Sequence, residues 1–420
     1  VVKTEQGVFG STILTLSNGV RVILKPTDFK ADEVRMQAFS PGGTSLFNDK
    51  DVLQFALISQ IASLGGLGNF NSVDLDKVLA GKMASASAMV NTYSEGLSGS
   101  CSPKDLETML QLTYLRFTAP RMDQEAFTSF ITRNKAALAN QEADPMTAFS
   151  DSINVALYNR HPRALSMKAD MLDKIDYNKV MELYKNRFAD ASDFTFILVG
   201  NVDAKTATPL IEQYLGALPA NEKFRDTGMA IRKGHFENNF VKELETPKAT
   251  VLMVYSGDCK YDLKNNLQMS MLGQLLNMVY LRTVREDAGG TYGVSCNGSL
   301  SKYPTEKGAF QVYFDTDPNR REEMVKLINE GIQEFIEKGP VSEDLSKVKE
   351  YMLKTYKQNQ KENGYWMNIL NTYYWENLDM NTGYEATVNA ISGDDLKAFA
   401  KTFFGQKNEV EVSMSSPVQK

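Results

Sequence analysis

Histidine is nearly missing: the 420 residues contain only His161 and His235. They lie far apart and in no helical or hairpin spacing, which excludes a histidine-based zinc centre within the chain. The same scarcity leaves few partners for a serine or cysteine nucleophile, and there is no Gly-x-Ser-x-Gly elbow. Cysteine is scarce too. Cys101, Cys259 and Cys296 are odd in number and irregularly spaced, suggesting neither a disulfide framework nor a thiolate zinc cage. Asp, Glu and Cys fall into no ligand-like cluster. No apolar run is long enough to cross a bilayer. Basic residues are not in excess, 46 Lys and Arg against 52 Asp and Glu for a net charge of −6, and no basic stripe invites nucleic acid. The glycines of Gly65-Gly-Leu-Gly-Asn-Phe70 lack the Gly-Lys-Ser/Thr ending of a phosphate loop.

What remains is the composition of a globular protein, 42% hydrophobic and 23% charged. The length exceeds one ordinary core and suits two domains of about 200 residues each. Thr12 to Lys25 predicts a hairpin about Asn18-Gly19, and Glu33 to Ser40 alternates as a further strand before Pro41-Gly42-Gly43. A helix is expected from about Asp51 to Ser63, and Ala84 to Ser98 alternates as strands. Ser102-Pro103 opens another helix as N-cap and first-turn proline, with Leu106, Met109, Leu110 and Phe117 on one face. Further helices lead to the apolar strand Phe194 to Val199 and a helix ending near Leu215.

Residues 219–234 are polar and unpatterned, the expected linker, and His235 is assigned to it; His161 is expected in a loop. The order of elements then repeats. Strands near Phe240 to Leu244 and Thr250 to Ser256 precede a long helix, and Thr316-Asp317-Pro318 opens a helix as Ser102-Pro103 did, with the two prolines 215 positions apart. The expectation is an α+β protein of two tandem duplicated domains, 1–218 and 235–420, each an antiparallel-rich sheet packed against a layer of helices.

The most informative stretch runs from Lys264 to Ser299. Leu267, Met271, Leu275, Met278 and Val279 recur at helical spacing, a charged turn follows through Arg282 and Arg285, and Gly289-Gly290 leads into the strand at Thr291. A glycine pair after a helix ordinarily marks a C-cap and turn. Here Arg285 and Tyr292 bracket it, and a guanidinium fork and a phenol suit a peptide carbonyl or the anionic oxygen formed on it during hydrolysis.

Arg285-Glu-Asp-Ala-Gly-Gly-Thr-Tyr292-Gly-Val behind a long helix resembles the Arg-to-Tyr segment in the C-terminal half of pitrilysin/insulinase-type zinc metallopeptidases, relatives of insulin-degrading enzyme and the mitochondrial processing peptidase. The resemblance covers essentially the whole chain. It implies two such α+β domains forming a half-shell, with Arg285 and Tyr292 binding substrate backbone across a chamber from the zinc. It also implies that the helix after the first Gly-Gly turn bears His-x-x-Glu-His, whose histidines bind zinc while the glutamate acts as base. In this chain that frame falls on Phe55-Ala-Leu-Ile-Ser59, and the third ligand position falls near Ala136 and Ala137. No catalytic or metal residue is therefore assigned.

The reading is a non-catalytic half, with zinc in a partner half on the same polypeptide or in a catalytic subunit, and peptide as substrate. The alternatives are a catalytically dead scaffold or peptide-binding subunit of the same fold, and an independent hydrolase. The start at Val1, without initiator Met or leader, reads as a fragment or mature product. The compartment stays unknown, a periplasmic one following only from a leader ahead of Val1. Tyr365 and Trp366, in a polar segment, are read as core aromatics at a helix break, with chamber contact as the competing role.

Overall fold

A computed structural model describes residues 1–220 and 229–418. Along the first half run β1 (Lys3–Gln6), β2 (Thr12–Thr15), β3 (Arg21–Pro26), β4 (Val34–Pro41), α1 (Val52–Phe55), α2 (Ile58–Ala62), α3 (Ser72–Val78), β5 (Ala84–Val90) and β6 (Ser94–Cys101). They are followed by α4 (Leu106–Thr118), α5 (Gln124–Glu142), α6 (Pro145–Tyr158), α7 (Tyr177–Arg187), β7 (Thr195–Gly200) and α8 (Ala204–Tyr214). The second half carries β8 (His235–Val241), β9 (Ala249–Asp258), α9 (Leu263–Tyr280), β10 (Val294–Ser301), β11 (Lys307–Thr316), α10 (Arg321–Lys338), α11 (Ser342–Asn359), α12 (Asn363–Glu376), α13 (Tyr384–Ala390), α14 (Gly393–Phe404) and β12 (Asn408–Ser415).

These form two compact units. The first comprises Val1–Leu138, Met167–Gly228 and Gln358–Asp379. Its sheet has the order β1-β2-β3-β7-β4-β6-β5, antiparallel except where β3 meets β7. One face packs on helices through Val22, Met36, Leu97, Met109, Leu110 and Phe196. The other face, over β3 and β7, is covered by α12, where Met367 and Leu370 meet Ile23, Ile197 and Val199. A strand buried on both faces must be apolar throughout, which is why Thr195–Gly200 shows no alternation.

The second unit comprises Ala139–Ser166, Met229–Lys357 and Met380–Lys420. Its sheet order is β10-β11-β9-β12-β8, antiparallel except for β12 against β8. Leu267, Met271, Leu272, Leu275 and Leu276 of α9 enter its main core, and each such side chain contributes about 1.5–3 kcal/mol by leaving water. The opposite face is covered by α6, through Phe149 and Ala156 on Val410, Val412 and Met414.

The α+β duplication is therefore present in detail. The run β3-β7-β4-β6-β5 of one sheet matches β8-β12-β9-β11-β10 of the other in order and in the sense of every pairing. Each unit also borrows its far-face helix, α12 or α6, from the other half of the sequence.

Several expectations need correction. The helix expected over Asp51 to Ser63 is two one-turn pieces, α1 and α2, broken at Leu57 (φ −120°, ψ 27°). Fragments so short are held by the burial of Phe55, Ile58 and Ile61, not by helix propensity. His235 is the first residue of β8, pairing with Glu409; the strand starts five residues before the expected Phe240 because Glu237, Asn238 and Asn239 are poor strand formers. Of the expected linker, residues 221–228 lie outside the described residues. Ser102 starts the turn into α4, but its hydroxyl bonds Asp105 Oδ2 at 3.0 Å and caps no backbone N–H. Trp366 packs on the first sheet, with Lys25 Nζ 4.4 Å from its ring centroid and its Nε1 donating to Gln360 O. Among the described residues no helix is long and apolar enough to cross a membrane.

Candidate functional site

Asp262 starts α9 by accepting the Asn265 N–H on Oδ1, at 2.8 Å. Eighteen residues later the α-helix passes directly into a π-helical turn, Leu281–Asp287. π-turns inside helices are rare and concentrate at functional positions, since the wider ring displaces side chains from the regular helical stripe. Here the displaced stretch carries Arg285.

The turn is fastened on several sides. Tyr280 is fully buried and donates its hydroxyl hydrogen to Ile328 O at 2.8 Å. Arg282 Nη2 meets Asp344 Oδ2 at 2.7 Å, a carboxylate itself almost buried. Arg320 Nη2 donates to Ala288 O at 2.8 Å, the Gly290 N–H to Val284 O at 3.1 Å, and Thr316 Oγ1 to Gly290 O at 2.5 Å. Gly289 adopts φ +60°, and a Cβ on Gly290 would stand 2.0 Å from Met324 Sδ, so the double glycine meets two separate demands. The segment from Tyr280 to Gly290 is thus held while the bracketing side chains are not.

Arg285 is exposed and Tyr292 is 98% exposed. Among the described residues no hydrogen bond or ion pair engages either side chain, nor do they bond each other. A phenol ring left almost wholly in water adds nothing to the core. The sequence singled out both residues. It missed the groups that hold their backbone: Asp344, Arg320 and Thr316 follow by 24 or more positions, and such long-range pairings leave no local signal.

The frame in the first repeat is filled differently. Phe55 packs against Phe47 with ring centroids 5.7 Å apart, Ala56 sits at the helix break, and Ser59 Oγ accepts the Val90 N–H at 3.0 Å. Ala136 and Ala137 are exposed on α5. These residues do not fit a zinc ion, because a methyl group, a phenyl ring and a hydroxyl spent on backbone offer no ligand set. Among the described residues no group of three or more His, Cys, Asp or Glu side chains is arranged to hold a metal. His161 accepts the Arg163 N–H on Nδ1, closing a short turn. His235 pairs with Glu237 at 2.8 Å and Glu409 at 3.5 Å, and the Glu237 hydrogen bond holds its pKa above the ordinary histidine value.

The sequence profile described as "Peptidase M16 inactive domain" matches residues 174–352. Zinc protease PQQL-like of Arabidopsis thaliana is 28% identical over 375 residues, 85% of this chain and 37% of that protein. The chain is similar to the M16 peptidase family. Within it the match is to the inactive domain, in agreement with the pitrilysin/insulinase resemblance. The crystal structure of the periplasmic protease PqqL from Escherichia coli superposes with TM-score 0.87 at 21% identity, covering 99% of this chain and 46% of that one, which establishes the shared fold. A second kind of relative, the non-peptidase homolog YmxG of Helicobacter pylori, is 23% identical over 374 residues, 86% of this chain and 83% of that protein. The chain spans only 37% to 42% of the length of its PqqL-type relatives.

Proposed function

We propose that this chain is the non-catalytic half of a zinc-dependent metalloendopeptidase. It closes a chamber against a zinc-bearing half, on the same polypeptide or on a catalytic subunit, and binds the peptide backbone with Arg285 and Tyr292. In this reading 1–218 and 235–420 are the duplicated units of the sequence. The observation carrying the proposal is the contrast within one segment: backbone held at Ala288 and Gly290, with both donor side chains free in solvent. The held backbone brings both donors to one rim, and the side chains are ordered by the peptide they bind, where they face the developing negative charge. The cleavage chemistry comes from zinc on the other half, and this chain transfers no proton.

In the assembled two-half enzyme, Arg285→Ala and Tyr292→Phe should lower kcat/KM by roughly a hundredfold or more, with unchanged thermal unfolding. Wild-type turnover in both variants would remove the role. Chelator-sensitive cleavage by the isolated chain would overturn the division of labour. The second reading, a catalytically dead scaffold or peptide-binding subunit, is favoured by the match over most of its length to the non-peptidase homolog. It predicts no partner half able to restore hydrolysis.

A further inference from the structure

The first sheet carries a polar grid on the face away from its main core. Strands β4, β6 and β5 are adjacent, and their register aligns Arg35 with Ser100 and Ser85, and Gln37 with Ser98 and Ser87. Facing residues of neighbouring strands point to the same side, so these six form two parallel rows on one surface. The alternate positions Met36, Ala86 and Leu97 go to the core. Where α12 stops covering the sheet, its first two turns wall off a cavity of about 450 Å³ over the grid.

This cavity is ringed by hydrogen-bonding groups with little to bond. Gln37 Oε1 is buried and no donor reaches it. Among the described residues no hydrogen bond engages the Nη atoms of Arg35, the four serine hydroxyls or the Asn368 amide. Arg35 is nonetheless held in place. Its Nε donates to Glu33 Oε1 at 3.1 Å, and Glu33 also accepts from Asn363 Nδ2 at 3.0 Å, a side chain only 1% exposed. A Cβ on Gly364 would stand 3.2 Å from Arg35 Nη1, so the guanidinium lies against the first turn of α12 and the glycine leaves it room. A fork fixed on its Nε side and open at Nη is arranged for a carboxylate, and the adjacent serine row adds donors.

We infer that this cavity binds a small carboxylate with an N–H donor one residue away, the grouping found at the carboxy-terminal residue of a peptide and in an N-acylated amino acid. The carboxylate lies between Arg35 and the hydroxyls of Ser85 and Ser100, and Gln37 Oε1 accepts the ligand N–H. The rows are about 7 Å apart along the strands, twice the rise of one residue, and the long side chains of Arg35 and Gln37 span the part that a single ligand residue does not. No aromatic ring lines the cavity, so a sugar or nucleobase finds no stacking face. A single open guanidinium beside Glu33 also disfavours a polyphosphate. The site is independent of the Arg285–Tyr292 reading, and Arg285→Ala should leave its binding unchanged.

The test is calorimetric titration of the chain with N-acetyl-alanine, acetyl-trialanine and acetyl-trialanine amide. The two acids should bind saturably, and the amide roughly tenfold or more weakly. Arg35→Gln should bring the acids down to the level of the amide, and Gln37→Leu should weaken the acetylated ligands, each variant retaining wild-type thermal unfolding. Tighter binding of the tripeptide acid than of N-acetyl-alanine identifies a peptide end as the ligand, and equal binding identifies a single acylated residue. Equal affinity for acid and amide, retention of the acid preference in Arg35→Gln, or absence of saturable binding at millimolar ligand would overturn the assignment.

Discussion

The segments after the Gly42-Gly43 turn and after β9 occupy equivalent places in the two repeats, yet one is a broken pair of single turns and the other an 18-residue helix ending in a π-turn. The duplication supplied the same sheet and the same connection. What separates them is how much apolar surface each helix buries and what its far end must hold. In the first repeat the end runs into a glycine turn, where a Cβ on Gly65 would meet Arg121 O at 1.9 Å. In the second, Tyr280 stands 215 positions later as a fully buried anchor for a turn that leaves Arg285 free. The fold is shared, and the candidate site belongs to one repeat only.

The largest expected effect tests that asymmetry. Under the proposed function, Arg285→Ala should lose about a hundredfold in kcat/KM of the assembled enzyme, whereas Phe70→Ala, at the equivalent place in the first repeat, should leave it unchanged; a comparable loss at Phe70 breaks the comparison. Next comes packing. Leu272→Ala in α9 removes a fully buried side chain and should cost about 2–5 kcal/mol by denaturant unfolding. Leu57→Ala, its half-buried counterpart, should cost less than half as much.

A pH dependence sharpens the contrast further. Glu95 on β6 faces the Gly42-Gly43 turn where the second repeat has the buried apolar Phe310. Burial outweighs the Gly43 N–H and the Arg187 guanidinium and pushes the carboxyl up to about 7. The folded state therefore holds a proton that the unfolded chain releases at a lower pH, so this contribution is present at pH 5 and is lost as pH rises through 7. The change should be about 2–3 kcal/mol. Burial raises Glu409 and Glu411 in the same direction, so the measurement is the difference between the stability curves of wild type and Glu95→Gln, which should fall between pH 5 and 8. The smallest effect is expected from Tyr280→Phe, which removes the side-chain donor to Ile328 O, a carbonyl within α10, and should cost about 1 kcal/mol.

Much of this was legible from residue patterns. The proline pair at 103 and 318, the Asn18-Gly19 hairpin and the apolar strand ending at Val199 rest on local rules of first-turn proline, turn and unbroken apolar run. Arg285 and Tyr292 stood out because two donors bracketed a double glycine. Other features had no local signature. β1 is a fully exposed Lys-Thr-Glu-Gln edge strand without hydrophobic alternation. Trp366, Met367 and Leu370 show that α12 needs covering, but apolar periodicity marks a face to be buried and never names the surface that buries it. The π-turn likewise depends on Asp344, Arg320 and Thr316, which only the folded chain brings to it.

The reciprocal exchange of α6 and α12 carries a consequence for how this polypeptide can be dissected. A cut anywhere in 219–234 looks natural on paper, yet the N-terminal product would bare Ile23, Ile197 and Val199, and the C-terminal product would bare Val410, Val412 and Met414. Both fragments should be sticky and insoluble when made alone, and should recover when produced together. Two repeats that each keep the other's covering helix can only be inherited as a pair.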